Sequence, residues 1–106
     1  MITKAKIMEA IRAKDRNASK MGWKVLENSE DRIVITNNYD ESVRFELVPE
    51  LDEIGNCAGV RVEDKHLNEC LWYVLVGNTP YDDANNKDDG MFLAAGKAVD
   101  QFYYYY

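Results

Sequence analysis

The spacing of apolar residues predicts a helix near each end of the chain. Over residues 3–20, apolar side chains recur at helical spacing, and Gly22 is placed to end the helix. The same spacing returns over residues 89–105, where Asp88 or Asp89 can cap the helix and complement its dipole. The two segments therefore predict one amphipathic helix on either side of the middle of the chain.

Between the helices, the pattern changes to the alternation and β-branched content typical of strands. Five segments show this pattern: 23–27, 32–36, 43–47, 59–63 and 71–76. Pro49 is expected to close the third strand, because proline has no N–H to donate to a ladder. The sequence therefore predicts a single α+β domain over residues 1–106, with a roughly five-stranded antiparallel sheet and the C-terminal helix packed on it.

The predicted fifth strand differs from the others because residues 71–76 are apolar on both faces. Such a strand is usually covered on both sides. Two helices can cover one face of a five-stranded sheet. We therefore expect the other face to be covered by a loop, a second copy of the chain or a partner.

The charge of the chain is unevenly distributed. The net charge is −6, yet residues 1–24 carry a balance of +5 and the remainder −11. Arg12, Arg16 and Lys20 form a basic stripe on the first helix. Such asymmetry can mark an interaction surface, although lysine-rich helices and aspartate-rich loops are also ordinary features of protein surfaces. The negative net charge opposes direct binding to nucleic acid.

Residues able to carry chemistry are few. His66 and Cys70 stand four residues apart, with Cys57 upstream, so they could form a thiolate nucleophile with its base or begin a metal site. A cysteine at a strand edge beside a surface histidine gives the same pattern. The paired cysteine spacing of structural zinc sites, phosphate-binding glycine loops and nucleophile elbows is absent from the sequence. We therefore predict no catalytic residues, no metal and no cofactor.

The polar segment 82–90 is rich in carboxylates that could attract calcium. It does not fit an EF-hand, since the glycine and glutamate that the motif requires are missing and Lys87 would repel a cation. A solvated loop with helix-capping acids explains the same residues. We therefore expect no ion to bind there.

The chain ends in four consecutive tyrosines, of which Tyr103 and Tyr106 fall on the apolar face of the second helix. Tyr104 and Tyr105 point elsewhere, and exposed tyrosines suit interfaces because they bring a large contact area and a polar tip. A frayed last turn is the alternative interpretation.

The cellular compartment is expected to be the cytoplasm. The first 17 residues contain no apolar stretch of signal-peptide length, and no run approaches the roughly 18 apolar residues of a membrane span. Two cysteines are too few for a disulfide scaffold.

These observations favour a non-enzymatic module that binds another protein through an acidic, aromatic-edged surface. The candidate residues are Glu50, Asp52, Glu53, Trp72, Tyr73, Asp82, Asp83, Asp88, Asp89, Tyr104 and Tyr105. A concrete form is an inhibitor that occupies the basic nucleic-acid-binding groove of its target, with carboxylates in place of phosphates. In size and charge the chain is similar to the small inhibitors that phages make against host defence nucleases, anti-CRISPR proteins among them.

Two other functions compete with this one. In outline, a small acidic helix–sheet–helix domain is similar to the export chaperones of bacterial secretion systems, which implies a dimeric adaptor with residues 71–76 at the dimer interface. A small enzyme using Cys57, Cys70 or His66 is the third possibility.

Overall fold

The chain folds as a helix, a five-stranded antiparallel sheet and a second helix, which confirms the predicted α+β class. The computed structural model describes residues 1–15 and 22–106. The strands follow one another across the sheet in chain order. The elements are α1 (Lys4–Lys14), β1 (Trp23–Asn28), β2 (Ile33–Asn37), β3 (Arg44–Leu51), β4 (Cys57–Asp64), β5 (Glu69–Leu75) and α2 (Lys87–Tyr105).

The first helix is shorter than predicted. It begins after Thr3, whose hydroxyl accepts the N–H of Lys6 at 3.2 Å, and it ends at Lys14. Asp15 already has extended backbone angles, so the predicted end at Gly22 is wrong. The carboxylate of Asp15 accepts the hydroxyl of Tyr103 on α2, which anchors the chain at the point where α1 ends.

The second helix begins two residues earlier than predicted. Its cap is Asn86, whose side-chain oxygen accepts the N–H of Asp89 at 2.9 Å, so the prediction of an aspartate cap is wrong. Asp88 and Asp89 lie in the first turn, where the helix dipole favours negative charge.

Both helices contact each other and pack against the same face of the sheet. The core between the layers is made mainly of aliphatic side chains that are fully buried; its largest members are Phe45, Ile7, Ile11, Ile33, Ile35, Leu47, Met91, Val43, Val60, Val62, Val74 and Val99. Gly90 allows the start of α2 to approach the sheet, because a Cβ there would lie 2.7 Å from a methyl group of Val76. We call the opposite face of the sheet the open face.

The third strand continues through Pro49 to Leu51, so the prediction that Pro49 closes it is wrong. Pro49 lies opposite Val60 of β4. On the other side of β3, pairing with β2 stops at Leu47 opposite Ile33. Beyond Leu47 no strand pairs with β3 on the β2 side. A proline, which has no N–H, is therefore tolerated at position 49 because no hydrogen bond of the sheet is lost there.

The apolar fifth strand is an edge strand, and within the chain it is not covered on both faces. The exposed fractions of Trp72, Tyr73 and Leu75 are 42%, 37% and 44%. All five residues of β2, which lies between β1 and β3, are instead buried. Continuous apolar character therefore did not mark the strand that is most buried within one chain.

Both edge strands are interrupted by a register shift. On β1 the shift leaves out Leu26, and on β5 it leaves out Leu71. The far end of β5 is also occupied, since the backbone of Leu75 accepts the N–H of Ala84 and donates to Asp83 at 2.9 Å. These features shorten the edge that β5 offers to another strand.

Within the parts of the chain that the structure describes, no helix is long and apolar enough to cross a membrane.

Candidate interaction surface at the acidic end

The topology gathers four pairs of consecutive acidic residues at one end of the molecule. In a meander of antiparallel strands, the turns β1–β2 and β3–β4, the end of β5 and the start of α2 all lie at the same end. Each of these segments carries an acidic pair: Glu30-Asp31, Asp52-Glu53, Asp82-Asp83 and Asp88-Asp89. We call these eight residues the acidic end.

The predicted acids after position 50 thus come together, and the β1–β2 turn adds a pair, Glu30 and Asp31, that was not among the predicted residues. The start of α2 lies close to the β1–β2 turn. The ammonium group of Lys87 donates to the backbone oxygen of Glu30 at 2.8 Å and to its carboxylate at 3.1 Å. This contact lowers the pKa of Glu30, chiefly through the hydrogen bond to Lys87. The signal for Glu30 and Asp31 in the sequence was their position in a hairpin turn.

In two of the four acidic pairs, one aspartate also accepts hydrogen bonds from residues of its own loop. Asp52 accepts the backbone N–H groups of Ile54 and Asn56 at 3.0 and 2.9 Å. Asp82 accepts the backbone N–H and the hydroxyl of Thr79 at 2.9 and 2.8 Å. These bonds to the ionised carboxylates fix the loops, so the charges are presented on defined rather than loose segments.

A cleft of about 700 Å³ opens at the acidic end between the β3–β4 turn and the β5–α2 loop. Glu30, Lys87 and Cys57 belong to its lining. The polar lining also includes residues Asp52, Asn56, Asn78, Asn85 and Asn86.

Lys87 does not stand free among the acids of segment 82–90, since Glu30 binds its ammonium group. Among residues 1–15 and 22–106, no group of three or more His, Cys, Asp and Glu side chains is arranged to hold a metal ion.

The open face of the sheet carries a ladder of ion pairs that crosses from β1 to β4. Successive N–O distances along it lie between 2.5 and 3.6 Å. The charges alternate in the order Glu27, Arg32, Glu46, Lys65, Glu63, Arg61 and Glu50. This ladder occupies the face for which we expected a loop, a second copy or a partner.

Glu50 and Tyr73 belong to this ladder and not to the acidic end. The hydroxyl of Tyr73 donates to Glu50 at 2.9 Å, while Arg61 donates to the other carboxylate oxygen at 2.8 Å. Burial of the hydroxyl and its bond to Glu50 raise the pKa of Tyr73. Both candidates are therefore engaged within the chain.

Trp72 lies on the helix side of the sheet, where the ammonium group of Lys97 sits 4.5 Å from its ring centroid. The aromatic edge predicted for the acidic surface is thus not formed by Trp72 and Tyr73. Two other large apolar side chains, Ile54 and Tyr81, stand on loops of the acidic end with 82% and 87% of their surface exposed. The sequence shows them as isolated apolar residues inside polar loops.

The C-terminal tyrosines lie at the opposite end of α2, which is about 27 Å long at the usual rise per residue. Tyr104 and Tyr105 are exposed, and their rings contact each other edge to face at 4.9 Å. Tyr103 and Tyr106 are held by carboxylates, Tyr103 by Asp15 and Tyr106 by Asp64. Tyr104 and Tyr105 therefore lie about one helix length away from the acidic end.

The basic stripe of α1 is described in part. Arg12 is exposed on the helix. Arg16 and Lys20 lie outside the described residues.

The two cysteines lie at opposite ends of the sheet. Cys57 is paired with Leu51, and Cys70 is paired with Glu63, six residues further along β4. At about 3.3 Å per residue this separates them by roughly 20 Å, several times the span of a disulfide. Both thiols are free, so no bond joins them within one chain.

Comparison of the chain with known protein families, with characterised proteins and with solved structures finds no match.

Proposed function

We propose that this protein is a non-enzymatic, cytoplasmic inhibitor that uses its acidic end to occupy the basic nucleic-acid-binding groove of a target protein. The observation that supports the proposal is the convergence of four acidic pairs from four separate segments on one end of the fold. Consecutive acids in a single loop are common, whereas each of the four segments that meet at this end carries a pair.

The arrangement suits a groove that normally binds phosphates. Carboxylates are the protein groups that match arginine and lysine in charge and hydrogen bonding. A concentrated negative potential speeds encounter with a basic groove and rejects acidic surfaces. Loops fixed by Asp52 and Asp82 present their charges without a large ordering cost on binding.

The proposal predicts that the position of the charges decides binding, and two variants of equal net charge test this. The first, Asp31→Asn with Glu53→Gln and Asp88→Asn, removes three charges from the acidic end but spares the loop-holding residues Asp52 and Asp82. Immobilised wild-type protein is expected to capture one basic nucleic-acid-binding protein from lysate. The first variant should bind that partner at least about tenfold more weakly, because several charge pairs of about 0.5–1 kcal/mol each are lost.

The matched control is Glu9→Gln with Glu41→Gln and Glu69→Gln, which leaves the same net charge but neutralises acids elsewhere on the surface. It should bind the captured partner within about twofold of wild type at equal ionic strength, since pairs outside the interface contribute little. Equal losses in both variants, measured by surface plasmon resonance, would show that net charge alone attracts the partner and would refute the proposal.

A further inference from the structure

The lining of the cleft at the acidic end contains asparagines and apolar residues as well as acids. Asparagine residues 56, 78, 85 and 86 lie in its lining, and the amide of Asn86 is bound to Asp89 as the cap of α2. The amides of Asn56, Asn78 and Asn85 each provide an acceptor oxygen and two donor hydrogens. The cleft can therefore orient a polar group as well as attract a charge.

The charge of the lining favours a cation, because two carboxylates, those of Asp52 and Glu30, stand against one ammonium group. Lys87 is the cation in the lining, and its ammonium group is bound by the backbone and carboxylate oxygens of Glu30. The lining also includes apolar surface from Leu51 and Val76, against which an aliphatic chain can pack.

We propose that this cleft binds an arginine side chain of the partner protein. A guanidinium group is planar, carries five donors and is weakly hydrated, so it matches several amide and carboxylate oxygens at once. Its three-carbon stem suits the apolar part of the lining. The inference rests on the proposed function, because the basic groove of the target supplies the arginine.

An NMR titration with octa-arginine and octa-lysine peptides tests this assignment on the isolated protein. With ¹⁵N-labelled protein, octa-arginine should shift the side-chain amide signals of Asn56, Asn78, Asn85 and Asn86, while that of Asn38 at the opposite end stays in place. Octa-lysine has the same charge and should bind about tenfold more weakly, because an ammonium group makes fewer oriented hydrogen bonds.

Filling the cleft provides the second test. Ala58 is exposed in the lining, so Ala58→Phe should weaken octa-arginine binding about tenfold, the effect of losing one hydrogen bond to a charged group. Ala5→Phe adds the same ring on exposed α1 and should leave binding unchanged. Asn56→Ala with Asn78→Ala removes amides without adding bulk and should weaken octa-arginine more than octa-lysine.

The two proposals fail in different ways. If octa-arginine shifts signals across the acidic end but Ala58→Phe and the asparagine variant bind it like wild type, the cleft is not the arginine site. The acidic end would then still be tested by its own charge variants. If octa-arginine and octa-lysine bind equally, guanidinium recognition is likewise overturned.

Discussion

Replacing Phe102 by alanine is expected to lower the free energy of unfolding by about 3–5 kcal/mol, as for other buried aromatic side chains. The Phe102 side chain is only 2% exposed and lies between the two layers of the fold. Its ring contacts Trp23 edge to face at 5.3 Å and stacks on Tyr106 at 5.3 Å. Alanine would remove these contacts and leave a cavity that rigid neighbours cannot fill.

Urea unfolding followed by circular dichroism measures this loss. Leu93→Ala is the matched control, since Leu93 lies on the same helix but is 38% exposed. It should cost about 1–2 kcal/mol, because more than a third of its surface stays in water in the folded chain. A similar cost in the two variants would contradict the central place of Phe102 in the core.

Replacing Asp64 by alanine is expected to cost about 2 kcal/mol, the usual range for hydrogen bonds to a charged group. Asp64 is fully buried at the end of β4, and one carboxylate oxygen accepts the N–H groups of His66 and Leu67 at 2.8 and 3.0 Å. The other oxygen accepts the hydroxyl of Tyr106 at 2.8 Å. The variant would therefore loosen the β4–β5 turn and the end of α2 together.

A double-mutant cycle separates the two effects. Asp64→Ala and Tyr106→Phe should be coupled by about 1 kcal/mol in urea unfolding, since each removes the same hydrogen bond. Tyr104→Phe removes an exposed hydroxyl and should change stability little. Additive losses for Asp64 and Tyr106 would mean that the bond contributes nothing.

The same pair gives the stability a dependence on high pH. Burial, and secondly the bond to Asp64, raise the pKa of Tyr106 to about 12, above its ordinary value near 10. The folded state thus favours the neutral hydroxyl, so its contribution is complete below pH 10 and is lost as the pH rises through 12. The stability difference between wild type and Tyr106→Phe should shrink in that window.

Much of the fold could be predicted from the sequence, because local patterns determined it. Alternating apolar residues marked the strands, and helical spacing marked both helices. The errors lie where tertiary position overrode local preference. Pro49 is tolerated inside β3 because the pairing of β3 with β2 ends before it. The apolar β5 is an edge strand, and the ammonium group of Lys97 lies over the ring of Trp72.

The acidic end was predictable in part. Composition selected Asp52, Glu53 and the acids of segment 82–89, but their gathering depends on which turns share an end of the sheet. Glu50 lies apart from them because alternation along β3 turns its side chain to the open face, where Arg61 and Tyr73 bind it. The order of residues in the sequence could not distinguish an acid at the acidic end from an acid in the ion-pair ladder of the open face.

Competition with nucleic acid tests the central proposal most directly. The captured partner is saturated with a fluorescent oligonucleotide, and the protein is titrated in while anisotropy is recorded. We expect the oligonucleotide to be released at a one-to-one ratio by wild type, and only at about tenfold higher concentration by the variant with Asp31→Asn, Glu53→Gln and Asp88→Asn. A stable complex that contains protein, partner and oligonucleotide together would contradict occupation of the groove by the acidic end.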